Sequence, residues 1–159
     1  MNATPWRAAL AASLVLATGA WSSAAEAETG QALFGEHCAI CHDATGAGVP
    51  GFGPPLVNAA ATRVKTAGGR EYLAQVVVHG ISGVFESAGQ RQFAAMTPQP
   101  KLSDAELAAV LNHVLLLDRS ALPQNFTAID AAEIAAARKV VRTPGELHAT
   151  KTTLERAAR

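Results

Sequence analysis

Two cysteines spaced by two residues, with a histidine directly after the second, stand at Cys38-Ala39-Ile40-Cys41-His42. Thiols and an imidazole in this order suit a short list of chemistries. A structural zinc site needs four ligands, and only Cys38, Cys41 and His42 are local, with His37 awkwardly placed. A thioredoxin-like redox pair needs a βαβ setting, and the flanking sequence supplies none. A disulfide closed across so short a gap is strained. What remains is covalent attachment of haem c. Each thiol adds across a vinyl group to form a thioether, and the gap matches the vinyl spacing when the segment is helical. The adjacent imidazole then lies beneath the iron as its proximal ligand.

Haem iron has a second axial position. Apart from Met1, the chain offers Met96 as its only thioether, with His37, His79, His113 and His148 as imidazoles. His37 is too close to Cys38 to reach the far face, His113 falls within a helix, and His148 lies in the C-terminal tail. His79 closes a helix and is the competitor. Met96 sits in Ala-Ala-Met-Thr-Pro-Gln-Pro, expected to be an irregular loop fixed by proline, 54 positions after His42. That distance is enough chain to wrap around a porphyrin edge. A lone Met is more often core filler; beside a haem-attachment run it becomes the leading candidate for the second ligand.

These groups must be positioned by the elements around them. Thr29 to Cys41 reads as a helix with Leu33 and Phe34 on its buried side. Asp43 to Asn58 is rich in glycine and proline (Gly-Ala-Gly-Val-Pro-Gly-Phe-Gly-Pro-Pro-Leu), which blocks regular structure and lets backbone approach a ligand closely. Ala59 to Gly69 carries no clear signal. Arg70 to His79 is a short helix presenting Tyr72, Leu73, Val76 and Val77, with Gly80 as its C-cap. Val84-Phe85 and Gln90 to Phe93, on either side of Ala88-Gly89, are expected to form a small hairpin. Ser103-x-x-Glu106 is a capping box, flanked by Leu102 and Leu107 as a hydrophobic staple. The helix it starts runs to about Asp118, with Leu107, Val110, Leu111, Val114 and Leu117 at helical spacing. Pro123 separates a tail in which Asp130 to Val141 reads as a helix. Thr143-Pro144 supplies an N-cap and a first-turn proline for another.

The first 27 residues read as a signal peptide. Arg7 precedes an apolar run from Ala8 to Ala20, and Ser23-x-Ala25 or Ala25-x-Ala27 offers a cleavage pattern near Ala25 or Ala27. The alternative is an uncleaved anchor, for which the run is short and alanine-rich. The domain plan is therefore 1–27 signal peptide, 28–118 haem domain and 119–159 C-terminal helical extension. Lys and Arg total 13 and Asp and Glu total 13, so no bulk charge points to nucleic acid. Aromatic residues make up 5% of the chain, too few to fill a core easily, and a bulky apolar cofactor would supply the missing volume.

The region from Gly30 to Leu117 resembles the class I c-type cytochromes, especially bacterial mono-haem members that serve periplasmic dehydrogenases or oxidases. The resemblance rests on Gly30 and Phe34 as a Gly-x-x-x-Phe pair, on Cys38 to His42, on Gly53-Pro54-Pro55-Leu56 as a Gly-Pro-x-Leu run, and on Met96 before the capped helix at Ser103. It implies an all-α fold with helices wrapped around one covalent haem, here with the small hairpin and an extra C-terminal helical tail. It implies that the Pro54 carbonyl accepts the ring N–H of His42, an outer contact that fixes the ring, and that Leu56 packs on the haem face. Two departures stand out. Met96-Thr97-Pro98 replaces the family's frequent Met-Pro. His113 stands where the terminal helix often has an aromatic, and is read as a ring filling a gap. Arg63, Lys65, Arg70, Tyr72, Gln90 and Arg91 are candidate donors to the haem propionates.

The site residues expected to matter are thus Cys38 and Cys41 for attachment, His42 and Met96 for the iron, and Pro54 and Leu56 around it. The function this implies is periplasmic electron transfer without catalysis. The chain would be a diffusible carrier or the cytochrome subunit of a dehydrogenase or oxidase complex, held there through residues 119–159. The partners would be redox proteins, with neither nucleic acid nor a membrane span in the mature chain. The alternative is a haem-based gas or ligand sensor with an open distal face.

Overall fold

The computed structural model describes residues 29–87 and 90–157; the expected signal peptide with its cleavage sites, and the turn at 88–89, lie outside them. A first helix, α1, covers 29–37 and gives way at Cys38 to the single turn α2, Ala39–His42. The helix expected to run unbroken to Cys41 is interrupted because Cys38 takes φ −121°, outside helical values. Asp43 follows with φ 61° and ψ 151°, a conformation costly for a residue with a side chain. It turns the chain away from α2 directly after His42. Asp43 Oδ1 accepts from the Thr45 N–H (2.8 Å) and hydroxyl (2.5 Å), which supports the turn.

The segment that lacked a clear signal contains α3, Ala59–Arg63, and α4 spans Gly69–His79. Gly80 ends α4 with φ 74°, its N–H donating to the Val76 carbonyl. The hairpin is longer than expected. Strand β1, Ile81–Ser87, pairs antiparallel with β2, Gln90–Met96, in the register Ile81↔Met96 through Ser87↔Gln90. Met96 is therefore the last residue of a strand, where the sequence suggested irregular loop. Pro98, which has no N–H for a ladder, explains why pairing stops there.

Helix α5, Asp104–Leu116, starts at the expected capping box. Glu106 N–H donates to Ser103 Oγ (3.3 Å), and the Glu106 carboxylate accepts from Ser103 N–H (2.7 Å). It crosses α1 in close contact, for a Cβ added at Gly30 would run into the Ala109 carbonyl. Beside that crossing the rings of Phe34 and His113 lie 5.2 Å apart.

The segment after Asp118 folds back on the rest. Helices α6, Ala131–Lys139, and α7, Pro144–Ala157, both begin with capping boxes, Asp130 with Glu133 and Thr143 with Glu146. Helix α6 packs against α4 and α5, and α7 against α4 and β1. Ile129, Ile134 and Leu147 join the same core as Phe34, Leu107 and Leu115. Among the described residues no helix is long and apolar enough to cross a membrane.

Candidate functional site

Between these elements lies a cavity of about 770 Å³, the size of a pocket for a small organic ligand. Cys38, Cys41 and His42 reach it from the α1–α2 junction, Pro54 and Leu56 from the glycine- and proline-rich loop, and Met96 from the end of β2. Val110, Leu111 and Val114 of α5 and Tyr72, Leu73, Val76 and Val77 of α4 add apolar wall. All six residues singled out by sequence thus face one space, although they come from separate parts of the chain.

His42 is buried, and its Nδ1 lies 2.9 Å from the Pro54 carbonyl oxygen. A carbonyl only accepts, so Nδ1 carries the proton and Nε2 keeps its lone pair. Burial lowers the His42 pKa and outweighs the opposing effect of the Pro54 hydrogen bond, so the ring is held neutral, as a metal ligand must be. Cys38 and Cys41 are unbridged and half-buried. Burial, helped by the neighbouring Cys41, pushes the Cys38 thiol up to about 11. Cysteines that exchange disulfides are tuned the other way, which argues against a redox-active thiol pair.

The other imidazoles are engaged elsewhere. His79 Nε2 donates to the Ala137 carbonyl on α6 (3.0 Å), and His148 Nε2 donates to the Val84 carbonyl on β1 (2.8 Å). His113 packs on Phe34, with its Nε2 buried and unpartnered. His37 touches the cavity but lies on the cysteine side, near the Glu36 carboxylate at 3.6 Å.

The candidate propionate donors separate clearly. Arg63 and Tyr72 line the cavity, with the guanidinium 5.3 Å above the Tyr72 ring. Burial raises the Tyr72 hydroxyl to about 12, so it stays a proton donor. Arg70 is occupied with the Glu133 carboxylate and the Thr127 and Ala128 carbonyls. Arg91 is exposed, 3.8 Å from Glu86, and Lys65 is exposed too. Sequence reasoning missed Lys151, Leu154 and Glu155, which bring α7 into the cavity wall. Only a pairing across the length of the chain places them there, and no local pattern encodes it.

A family model described as Cytochrome c matches residues 27–118. The chain belongs to the cytochrome c family. Its mostly helical build with one small hairpin agrees with the class I cytochrome c fold. Two curated proteins named cytochrome c-552, both from Thermus thermophilus, are each 43% identical to it over 77 residues. The match takes in 48% of this chain and 59% and 52% of theirs, so the chain spans little more than half the length of these relatives. Cytochromes c bind haem c covalently, and Cys38 and Cys41 fit the attachment run. The cavity suits that group: an apolar slot with both thiols and a neutral, oriented imidazole on its wall and a thioether at the end of β2.

Proposed function

We propose that this chain is a single-haem electron carrier, exported to the periplasm, that passes electrons between a dehydrogenase and a terminal oxidase. The bound haem supplies an iron that alternates between ferric and ferrous states. Cys38 and Cys41 would anchor the group, and His42 and Met96 would ligate its iron. Pro54 holds the His42 ring through its Nδ1 proton, and Leu56 excludes water from the haem face. Tyr72, and Arg63 alongside its pair with Glu155, would serve the propionates.

The observation that carries this reading is that Met96 shares the cavity with His42 while His79 is turned to Ala137. An iron ligated on both sides has no open position for oxygen or peroxide, which disfavours the sensor alternative and suits outer-sphere transfer. Partners meet the site at the apolar surface around Ile40 and Phe52, which are 82% and 67% exposed beside the cysteines. Redox encounters of this kind are small in area. A diffusible carrier is favoured over a subunit held through residues 119–159, because Ile134 and Leu147 of that segment are already covered by this chain.

Haem should survive acid-acetone extraction, and the reduced protein should give a sharp low-spin spectrum. Met96→Ala should abolish the sulfur-to-iron band at the red edge of the oxidised spectrum and admit carbon monoxide to the reduced iron. An unchanged band in that variant would remove Met96 from the iron and return the position to an imidazole.

A further inference from the structure

A two-stranded ribbon is marginal in water unless something packs on it. The β1–β2 hairpin has no third strand among the described residues, yet Met96 is its last residue. Directly opposed residues of an antiparallel pair share a face, so Ile81, Gly83 and Phe85 lie on the face that carries Met96 and Ala94. Ile81 and Phe85 line the cavity. The rest of that face is covered by α7.

The fit is specific. The His148 ring sits directly on Gly83, where any added Cβ would overlap it. It packs edge-on against Phe85 at 5.0 Å, and its Nε2 donates to the Val84 carbonyl at 2.8 Å. One turn along α7, the Lys151 ammonium lies 5.4 Å over the Phe85 ring and bonds Glu155 at 2.8 Å. Glu155 in turn accepts from Arg63 at 2.6 Å. Helix α7 therefore ties the strand pair ending in Met96 to α3 on the cavity wall. It lies outside the segment matched by the family model.

We propose that α7 positions the sulfur ligand: His148 on Gly83, with Lys151 and Glu155, holds the hairpin so that Met96 stays seated on its side of the haem. This rests on the assignment of Met96 to the iron. His148 acts through β1 and is a positioning residue. Loosening it should free the hairpin end, and with it the sulfur, while the cysteine and His42 attachments persist.

The test uses the oxidised holoprotein with imidazole as the probe, under conditions far from unfolding. Imidazole must displace the sulfur, so its association reports how often Met96 leaves. His148→Ala should raise that rate roughly tenfold, as expected for loss of one hydrogen bond and a ring contact. Gly83→Ala, which pushes the ring away from the strand side, should do the same. Combining them should cost little more than either alone, the signature of one shared contact. Val141→Ser, on the exposed side of the tail, should leave the rate unchanged. Wild-type imidazole kinetics in both His148→Ala and Gly83→Ala would overturn the proposal. So would a rise that merely tracks each variant's unfolding equilibrium. Met96→Ala run alongside separates the failures: if its red-edge band persists, the ligand assignment is wrong whatever α7 does.

Discussion

Residues 29–118 and residues 119–157 are both helical, but they are held in different ways. The first segment is arranged around a space. Its walls converge on a cavity. The second segment is laid over that body, with Lys151, Leu154 and Glu155 of α7 closing part of the cavity wall. It is fixed by Ile129, Ile134 and Leu147 sunk into the common core and by polar ties to the body. Arg70 pairs with Glu133, Arg63 with Glu155 and Asp104 with Arg138, while Asn112 receives the Ile129 N–H and donates to its carbonyl. A segment built around a group announces that group through local motifs. One built to cover another leaves its ties scattered, as far apart in sequence as 92 residues for Arg63 and Glu155.

Removing the tail is the strongest way to break the comparison. Truncation of the holoprotein after Asp118 discards the large buried side chains Ile129, Ile134 and Leu147, each contributing roughly 1.5–3 kcal/mol by burial, offset in part by the entropy of ordering the segment. A net loss of a few kcal/mol should lower the melting temperature by roughly 10–20 °C, with the haem still attached because Cys38 and Cys41 remain. A truncated protein that melts with the full chain would mean the tail contributes nothing to the body.

The same contrast explains what is legible in the sequence. Cys38 to His42 identify the cofactor because two thiols and an imidazole at that spacing have few other uses. The caps at Ser103 and Thr143 are legible because a capping box is complete within four residues. For Met96 the neighbourhood is legible and the local structure is not: β-pairing with Ile81 depends on a partner strand, and Ala-Ala-Met has little strand character of its own. The path of the tail is illegible for a similar reason. Thr143 and Pro144 show that a helix starts there, but nothing near them shows that His148 must meet Gly83.

Acid should separate the two segments by a smaller margin. The hydrogen bond from Arg70 is the main cause holding Glu133 below the ordinary carboxylate value of 4.5. Burial alone would raise Glu155, but Lys151 and Arg63 outweigh it and hold that carboxyl low as well. A carboxyl lowered in the fold contributes stability that is complete above 4.5 and is lost as pH falls through the lowered value. Cleavage of the tail by an acid-active protease should therefore increase below that pH. Glu133→Gln with Glu155→Gln should flatten this dependence. Glu106, lowered by the Ser103 cap on α5, would keep its own acid response within the body. A tail equally acid-sensitive in the double variant would show that its ties to Arg70 and Arg63 are not what acid breaks.

Salt gives the smallest expected effect and asks which kind of charge interaction holds the tail. Glu28 to Asp118 contains 5 basic and 8 acidic residues, a net of −3, and Arg119 to Arg159 contains 7 basic and 4 acidic, a net of +3. Attraction between these totals acts over distance, and raising the ionic strength from about 0.01 to 1 M shortens the screening length from roughly 30 to 3 Å. The pairs at Arg63–Glu155 and Arg138–Asp104 sit at 2.6 and 2.5 Å and are half-buried, so they are screened less than the long-range field. Exposed pairs contribute roughly 0–1 kcal/mol each, and the apolar anchors Ile134 and Leu147 are indifferent to screening. Melting of the full chain should thus fall by only a few degrees across that range, about what 1 kcal/mol produces, and the protein truncated after Asp118 should show no such fall. Release of the tail at high salt, seen as protease cleavage beyond Asp118 with the body intact, would mean that opposite net charge holds it and that the contacts at Ile134 and Leu147 do not.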